Sequence, residues 1–256
     1  MNQTADIFTE FKPRDYLNYY YKRIDEENQA LLEFFAEAYK DVPQNSKMME
    51  FSGGPTIYQI ITAANHVEQV DFSDYLQANL NEIKLWKSSD PSAFNWDRFI
   101  KEALKIEGLP ASGKDIKNRE HLVRKKINKL ILGDAFMTDP CGPEYRNYYD
   151  VLGVSFVPEG ITDSKDIWQS AISNIASLLK PGGLLAMAAI LEAKFWMSGP
   201  QVLPAVYLKE ENFRKIFPKL GLSIQKLTTI PSEILDPKDP GYTGYKGMVF
   251  IKATKA

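Results

Sequence analysis

Apolar positions along this chain switch between two spacings. From Arg14 to Tyr39 the residues Leu31, Leu32, Phe34, Phe35 and Ala38 recur with helical period, so one or two helices precede the first strand. The run Lys47 to Phe51 reads as that strand, a turn of small residues follows, and Ile57 to Ala64 is expected as the helix behind it. Val67 to Ser73 is a second strand closed by Asp74, and Leu76 to Lys87 is a helix with Leu80, Ile83 and Trp86 on one face. Residues Asp90 to Lys129 interrupt the alternation: they are charged, broken by Pro91, Gly108, Pro110 and Gly113, and end in a basic helix from Arg119 to Lys129. Leu130 to Leu132, Tyr149 to Phe156 and Leu184 to Ile190 are further strands, with a helix from Ser164 to Leu179 stopped by Lys180-Pro181-Gly182-Gly183. A helix from Lys209 to Phe217 and strands over Ser223 to Ile230 and Gly247 to Ala253 complete the pattern. Strand and helix in alternation predict an α/β protein with a mostly parallel sheet covered on both faces.

Composition narrows the partners. At 256 residues the chain can bury one large core without a second domain. Lysine and arginine number 31 against 33 acids, a formal charge of −2, which gives no general attraction to nucleic acid or an anionic membrane. No stretch is apolar enough to span a bilayer, and Met1 to Asp6 carry neither a basic cluster nor an apolar run. The single cysteine, Cys141, rules out an intrachain disulfide and fits a reducing cytoplasm. His66 and His121 are the only histidines and read as structural or exposed, so no metal site is expected. The expected protein is a cytoplasmic monomer acting on a small molecule.

The chemistry concentrates at strand ends. Ser52-Gly53-Gly54 follows the first strand, and residues without bulk let a ligand approach the backbone. Glu50, Asp74 and Asp134 stand at three successive strand ends, where a carboxylate can accept ribose hydroxyls. A phosphate-cradling loop needs a lysine followed by serine or threonine at the helix start, and Pro55-Thr56-Ile57-Tyr58 supplies none. A dinucleotide site usually has three spaced glycines, and the third is missing here. A sulfonium nucleoside, S-adenosylmethionine, carries no phosphate and suits this set of groups.

Four segments carry a specific resemblance: Phe11-Lys12-Pro13-Arg14-Asp15-Tyr16-Leu17 with Tyr20-Tyr21, Gly54-Pro55-Thr56-Ile57-Tyr58-Gln59, Ala93-Phe94-Asn95-Trp96, and Leu178-Leu179-Lys180-Pro181-Gly182-Gly183. In these the chain resembles the small-molecule methyltransferases that act on nicotinamide, phenylethanolamine, indolethylamine and thioethers. The resemblance implies a Rossmann-like class I methyltransferase: one domain over residues 1–256 with a mostly parallel seven-stranded sheet, an N-terminal helical lid over 1–45 and a family-type insertion over 90–129. It implies that Tyr16 and Tyr21 fold over the cofactor and that Ser52, Gly53, Gly54, Thr56 and Tyr58 meet its methionine part. Asp74 takes the ribose, Tyr75 and Asn79 lie along the adenosine, Asp134 and Ala135 meet the adenine, and Ser155 and Phe156 lie beside the sulfonium. Glu50-Phe51-Ser52-Gly53-Gly54 stands where the family has an acid followed by Gly-Ser-Gly, a shift of the serine by one place.

Methyl transfer needs alignment above all, and good alignment supplies about 7–11 kcal/mol of barrier reduction. A protonated amine also needs a group to take its proton. Glu159 is the expected catalytic acid, with Tyr20, Glu192, Phe195, Trp196 and Ala205 around the acceptor. Alanines in Ala188-Ala189-Ile190-Leu191 replace an acid of nicotinamide-specific members, so the acceptor pocket is rebuilt. The expected acceptor is a nitrogen of a small amine or guanidine-like molecule. The alternatives are a thioether or thiol S-methyltransferase and a non-catalytic regulator that binds S-adenosylmethionine, with a dehydrogenase a weaker third.

Overall fold

Strand β5, Leu179–Leu191, shows how the sheet organises the core, because its side chains divide by parity. Leu185, Met187 and Ala189 enter one apolar cluster, while Ala186, Ala188 and Ile190 enter the other. Successive residues of a strand point to opposite faces, so a run buried on both faces belongs to a central strand with helices above and below. The structure is a computed structural model and describes residues 7–239 and 241–256, so the N-terminal Met1 to Asp6 lie outside the described residues.

The other strands are β1 (Ser46–Phe51), β2 (Val67–Asp74), β3 (Ile127–Leu132), β4 (Tyr149–Ser155), β6 (Phe195–Ser198), β7 (Gln201–Pro204), β8 (Leu222–Pro231) and β9 (Gly247–Lys255). Seven form one sheet in the order β3-β2-β1-β4-β5-β9-β8. The first five are mutually parallel, and β9 runs antiparallel to both β5 and β8. The chain moves outward from β1 through β2 to β3, then returns to lay β4 on the other side of β1. Such a reversal opens a crevice at the carboxyl ends of β1 and β4, where ligands of open α/β sheets collect.

Helices α1 (Pro13–Tyr20), α2 (Glu26–Tyr39), α3 (Gln77–Lys87), α4 (Asp97–Ile106), α5 (Gly113–Lys126), α6 (Lys165–Ala176) and α7 (Glu210–Ile216) surround the sheet. Helix α2 presents Leu31, Leu32, Phe35 and Ala38 to the core, and Phe34 stacks on Phe250 of β9 at 5.3 Å. Asp25 caps α2 by accepting the Asn28 N–H at 2.9 Å. The 90–129 segment contains a helix pair, α4 and α5, held by the buried Arg119, which donates to both Glu107 oxygens (2.8 and 2.5 Å) and to the Ile61 carbonyl.

Several boundaries depart from the sequence expectation. Ile57 to Ala64 does not form an α-helix: it makes two 3-10 turns, Tyr58–Ile60 and Ala63–Asn65. β-branched residues crowd this segment, and Gln59 turns back to donate to Gly53 O (3.0 Å) and Thr56 Oγ1 (2.7 Å). The basic helix starts earlier, at a Ser112/Asp115 capping box, and ends at Lys126, so β3 is longer than expected. Helix α4 and the β6–β7 hairpin were not anticipated. Among the described residues no helix is long and apolar enough to cross a membrane.

Candidate active site

Three of the backbone's positive-φ residues meet at the crevice: Ser52 (φ 50°), Gly54 (66°) and Phe156 (58°). This left-handed region disfavours bulky side chains, and its clustering at strand ends marks a functional turn. The turn is pinned to β2: Ser52 N–H donates to Ser73 Oγ (3.3 Å), Gly53 N–H to Ser73 O (3.2 Å) and Gly54 N–H to Asp74 Oδ2 (2.9 Å). Gly53 is required sterically, because a Cβ there would sit 2.3 Å from Phe72 Cζ. Asp74 also accepts from Leu76 N–H (2.8 Å) and Asn79 Nδ2 (2.9 Å) through Oδ1. A carboxylate has about four acceptor sites, so one on Oδ2 remains for a ligand hydroxyl. Burial lifts the Asp74 carboxyl to about 6 despite these donors.

The cavity over this turn is lined by Tyr16, Ser52, Gly53, Gly54, Thr56, Tyr58, Asp74, Tyr75, Asn79, Asp134, Ala135, Ser155 and Phe156 among others. Among the described residues its only charged side chains are the acids Asp74 and Asp134, and neither offers a cation to a phosphate. A second cavity lies beneath the first two helices, lined by Tyr16, Tyr20, Tyr21, Asp25, Glu27, Asn28, Leu31, Phe156, Ile190, Trp196, Tyr245 and Met248. Tyr16, Phe156 and Trp196 belong to both linings and form their common wall. Two bonds hold this wall: Tyr20 at the end of α1 donates its hydroxyl to Met197 O of β6 (2.5 Å), and Trp196 Nε1 of β6 donates to Gly160 O in the loop after β4 (2.8 Å).

The model of the NNMT/PNMT/TEMT family matches residues 1–256. The chain belongs to this family. It is 27% identical over 266 residues to phenylethanolamine N-methyltransferase of Homo sapiens, covering 98% of this chain and 91% of that protein. It is 28% identical over 252 residues to indolethylamine N-methyltransferase of Oryctolagus cuniculus (96% and 93% covered). Nicotinamide N-methyltransferase of Homo sapiens is 27% identical over 222 residues (84% and 83%). Among solved structures, magnesium protoporphyrin IX methyltransferase of Synechocystis PCC 6803 with bound SAM superposes with a TM-score of 0.60 at 13% identity, covering 100% of this chain and 98% of that one. The N-methyltransferase NodS of Bradyrhizobium japonicum WM9, in complex with S-adenosylhomocysteine, gives 0.55 at 10% identity (100% and 99%). The fold is that of class I S-adenosylmethionine-dependent methyltransferases.

Three buried polar atoms on residues lining the first cavity have no protein partner: Gln59 Oε1, Asn79 Oδ1 and Ser155 Oγ. Buried polar groups are normally satisfied, so these await a polar ligand. With the free Asp74 site and the absence of cations, they fit a nucleoside bearing hydroxyl and amino groups and no phosphate. Thirteen of the fourteen cofactor positions expected for this NNMT/PNMT/TEMT member line that cavity, while Tyr21 lines the second and stacks on Tyr58 at 5.1 Å.

The acceptor positions divide. Tyr20 and Trp196 line the second cavity, but Glu159, Glu192, Phe195 and Ala205 line neither. Glu192 accepts from the Tyr207 hydroxyl (2.7 Å), Phe195 packs edge-on against Tyr242, and Ala205 is buried in the core. Glu159 is wholly buried and accepts the Ile190 N–H at 2.9 Å; burial raises its carboxyl to about 8, so it is neutral at pH 7. Glu50 also departs from expectation. It lies inside β1 with no exposure, neither oxygen has a partner, and burial holds its carboxyl well above the ordinary range, so it touches no cavity. Asp25, Glu27 and Tyr245 were not anticipated in the second cavity. The one available signal was the acidic first turn of α2.

Proposed function

We propose that this protein transfers a methyl group from S-adenosylmethionine to a nitrogen of a small amine. The observation that carries this reading is the shared wall: one cavity suits the nucleoside, and only Tyr16, Phe156 and Trp196 separate it from an aromatic chamber of acceptor size. When bound, S-adenosylmethionine supplies a methyl whose C–S bond breaks, its electron pair passing to sulfur, as the nitrogen lone pair forms the new C–N bond.

The chain's residues do the positioning. Ser52 to Gly54 and Asp74 hold the nucleoside, with Asp74 fixing a hydroxyl. The aromatic wall excludes water and offers π faces to positive charge, worth about 0.5–2 kcal/mol each in a dry site. Glu159, neutral and turned into the backbone of β5, fixes Ile190 in the chamber lining as a positioning residue. We read the chain as a cytoplasmic monomer with a small-molecule acceptor: the lone cysteine supports the compartment, the near-balanced charge the small-molecule partner, and a sequence without a heptad seam the monomer.

S-adenosylhomocysteine at a hundredfold excess over Kd should stabilise the fold by about 2.7 kcal/mol, visible as a thermal shift. Labelled S-adenosylmethionine offered with a panel of amines, thiols and thioethers then reports the acceptor. Transfer to sulfur alone rejects the amine reading, and binding without any transfer makes the protein a cofactor-binding regulator.

A further inference from the structure

On its other side the acceptor chamber adjoins a surface vestibule, and Tyr20, Asp25, Glu27 and Tyr245 line both. None of these four lines the nucleoside cavity, so the chamber lies between the donor and the vestibule. Among the described residues its only charged side chains, Asp25 and Glu27, are acids at the vestibule end, whereas Lys22, Arg23 and Arg98 line the vestibule and not the chamber. Asp25 is engaged as the cap of α2. Glu27 is half-buried and accepts the Tyr245 hydroxyl at 2.5 Å through Oε2, with the Glu233 N–H 3.4 Å from Oε1. At the donor end the chamber has only Tyr16, Phe156 and Trp196, with no acid to take a proton from the reacting nitrogen.

We propose that the acceptor is a short diamine whose reacting nitrogen lies against Tyr16, Phe156 and Trp196 while a second, positively charged nitrogen at its far end pairs with Glu27. This rests on the N-methyltransferase reading and names its substrate class. The second charge also answers the missing base: a nearby ammonium lowers the pKa of the other nitrogen by repulsion, so that nitrogen enters neutral more often than a monoamine would. Glu27 keeps the retained charge at the far end, and Tyr20 and Tyr245 flank it with π faces. The reacting nitrogen gives its proton to solvent before it binds, then gains the methyl and a positive charge, and the product leaves as an ammonium.

The test compares butylamine with putrescine at saturating S-adenosylmethionine in the native protein, Glu27→Gln and Glu27→Asp. The expected native preference for putrescine in kcat/KM is about tenfold or more, from one charge pair in a partly dry site. Glu27→Gln should bring the ratio toward one mainly by raising KM for putrescine, and Glu27→Asp should restore part of it. Retained stabilisation by S-adenosylhomocysteine in both variants shows that they fold. Equal use of the two amines by the native protein, or a preference that survives Glu27→Gln, overturns the diamine assignment alone. No transfer to any amine while S-adenosylhomocysteine still binds overturns the function reading and this proposal together.

Discussion

Asp74 Oδ2 accepts the Gly54 N–H at 2.9 Å, so the acid at the end of β2 fixes the turn at the end of β1. One carboxylate therefore shapes the backbone of the turn and, in the proposed function, also offers the ligand an acceptor. Asp74→Ala should weaken S-adenosylhomocysteine binding by about tenfold or more, as expected for loss of a hydrogen bond to a charged group. Asp74→Asn should not rescue it where the new amide faces the Gly54 N–H, donor against donor. Isothermal titration of both variants checks this, and native affinity in Asp74→Ala would remove the ribose assignment.

The same residue sets a pH dependence. Burial raises its carboxyl from 3.8 to about 6, so the folded protein holds this proton between those values while the unfolded chain has released it. Its contribution to stability without ligand is thus full below pH 3.8 and lost as pH rises through about 6. Ligand binding runs the other way, because a ribose hydroxyl is accepted best by the ionised form. Affinity for S-adenosylhomocysteine should rise from pH 5 to 7 and level off above, and calorimetry across that window should find no such rise in Asp74→Ala.

Glu50 and Gly153 form a fitted pair in the sheet: a Cβ on Gly153 would stand 2.0 Å from Glu50 Oε2. Gly153→Ala should therefore destabilise the protein by overpacking, about 1–3 kcal/mol, because the side-chain ends it meets, Glu50 Oε2 and Met48 Cε, are fully buried and must shift within the core. Because burial without a partner favours the protonated carboxyl, Glu50→Gln should be tolerated, keeping both the urea midpoint and cofactor affinity near native. Strong loss of affinity in Glu50→Gln would return Glu50 to the cofactor site.

What the sequence carried, and what it hid, follows from distance along the chain. The glycine turn and the acids Asp74 and Asp134 were legible because turn geometry and strand-end chemistry are set by adjacent residues. Glu50 was misplaced although the strand end at Phe51 was read correctly, because its side chain turns into the core where Gly153, distant in sequence, leaves room for it. The acid of the acceptor chamber was invisible for a different reason: Glu27 and Tyr245 are 218 residues apart and meet only because α2 packs on β9 through Phe34 and Phe250. The Ile57 to Ala64 segment has helical apolar spacing, but it is buried all round, so packing and the Gln59 hydrogen bonds decided its shape.

The insertion is tied to the site through Arg119, whose guanidinium holds Glu107 of the α4 end and the Ile61 carbonyl just past the glycine turn. Removing it leaves the nearly buried Glu107 carboxylate without a cation, held only by the Asn65 amide at 3.1 Å. Arg119→Ala should cost about 3–5 kcal/mol in urea unfolding, and the double substitution with Glu107→Ala should cost less than the sum. Additive losses would mean that the two residues act independently.

Glu159 separates a positioning role from a catalytic one. Its Oε1 accepts the Ile190 N–H, its Oε2 has no partner, and burial keeps the carboxyl protonated up to about pH 8. Glu159→Gln preserves the acceptor oxygen and the neutral state, so kcat at pH 7 should stay within a few-fold of native, where loss of a general base typically costs about 100-fold or more. Glu159→Ala removes the acceptor and leaves the Ile190 N–H unsatisfied, which should cost about 1–3 kcal/mol and raise KM as the chamber lining shifts. The sign of the pH effect follows from the raised value. The group favours the fold at low pH and loses that contribution as pH rises from 4.5 through about 8, so native stability should fall across this range more steeply than that of Glu159→Gln. A hundredfold loss of kcat in Glu159→Gln, with stability unchanged, would make Glu159 the base that the chamber otherwise lacks.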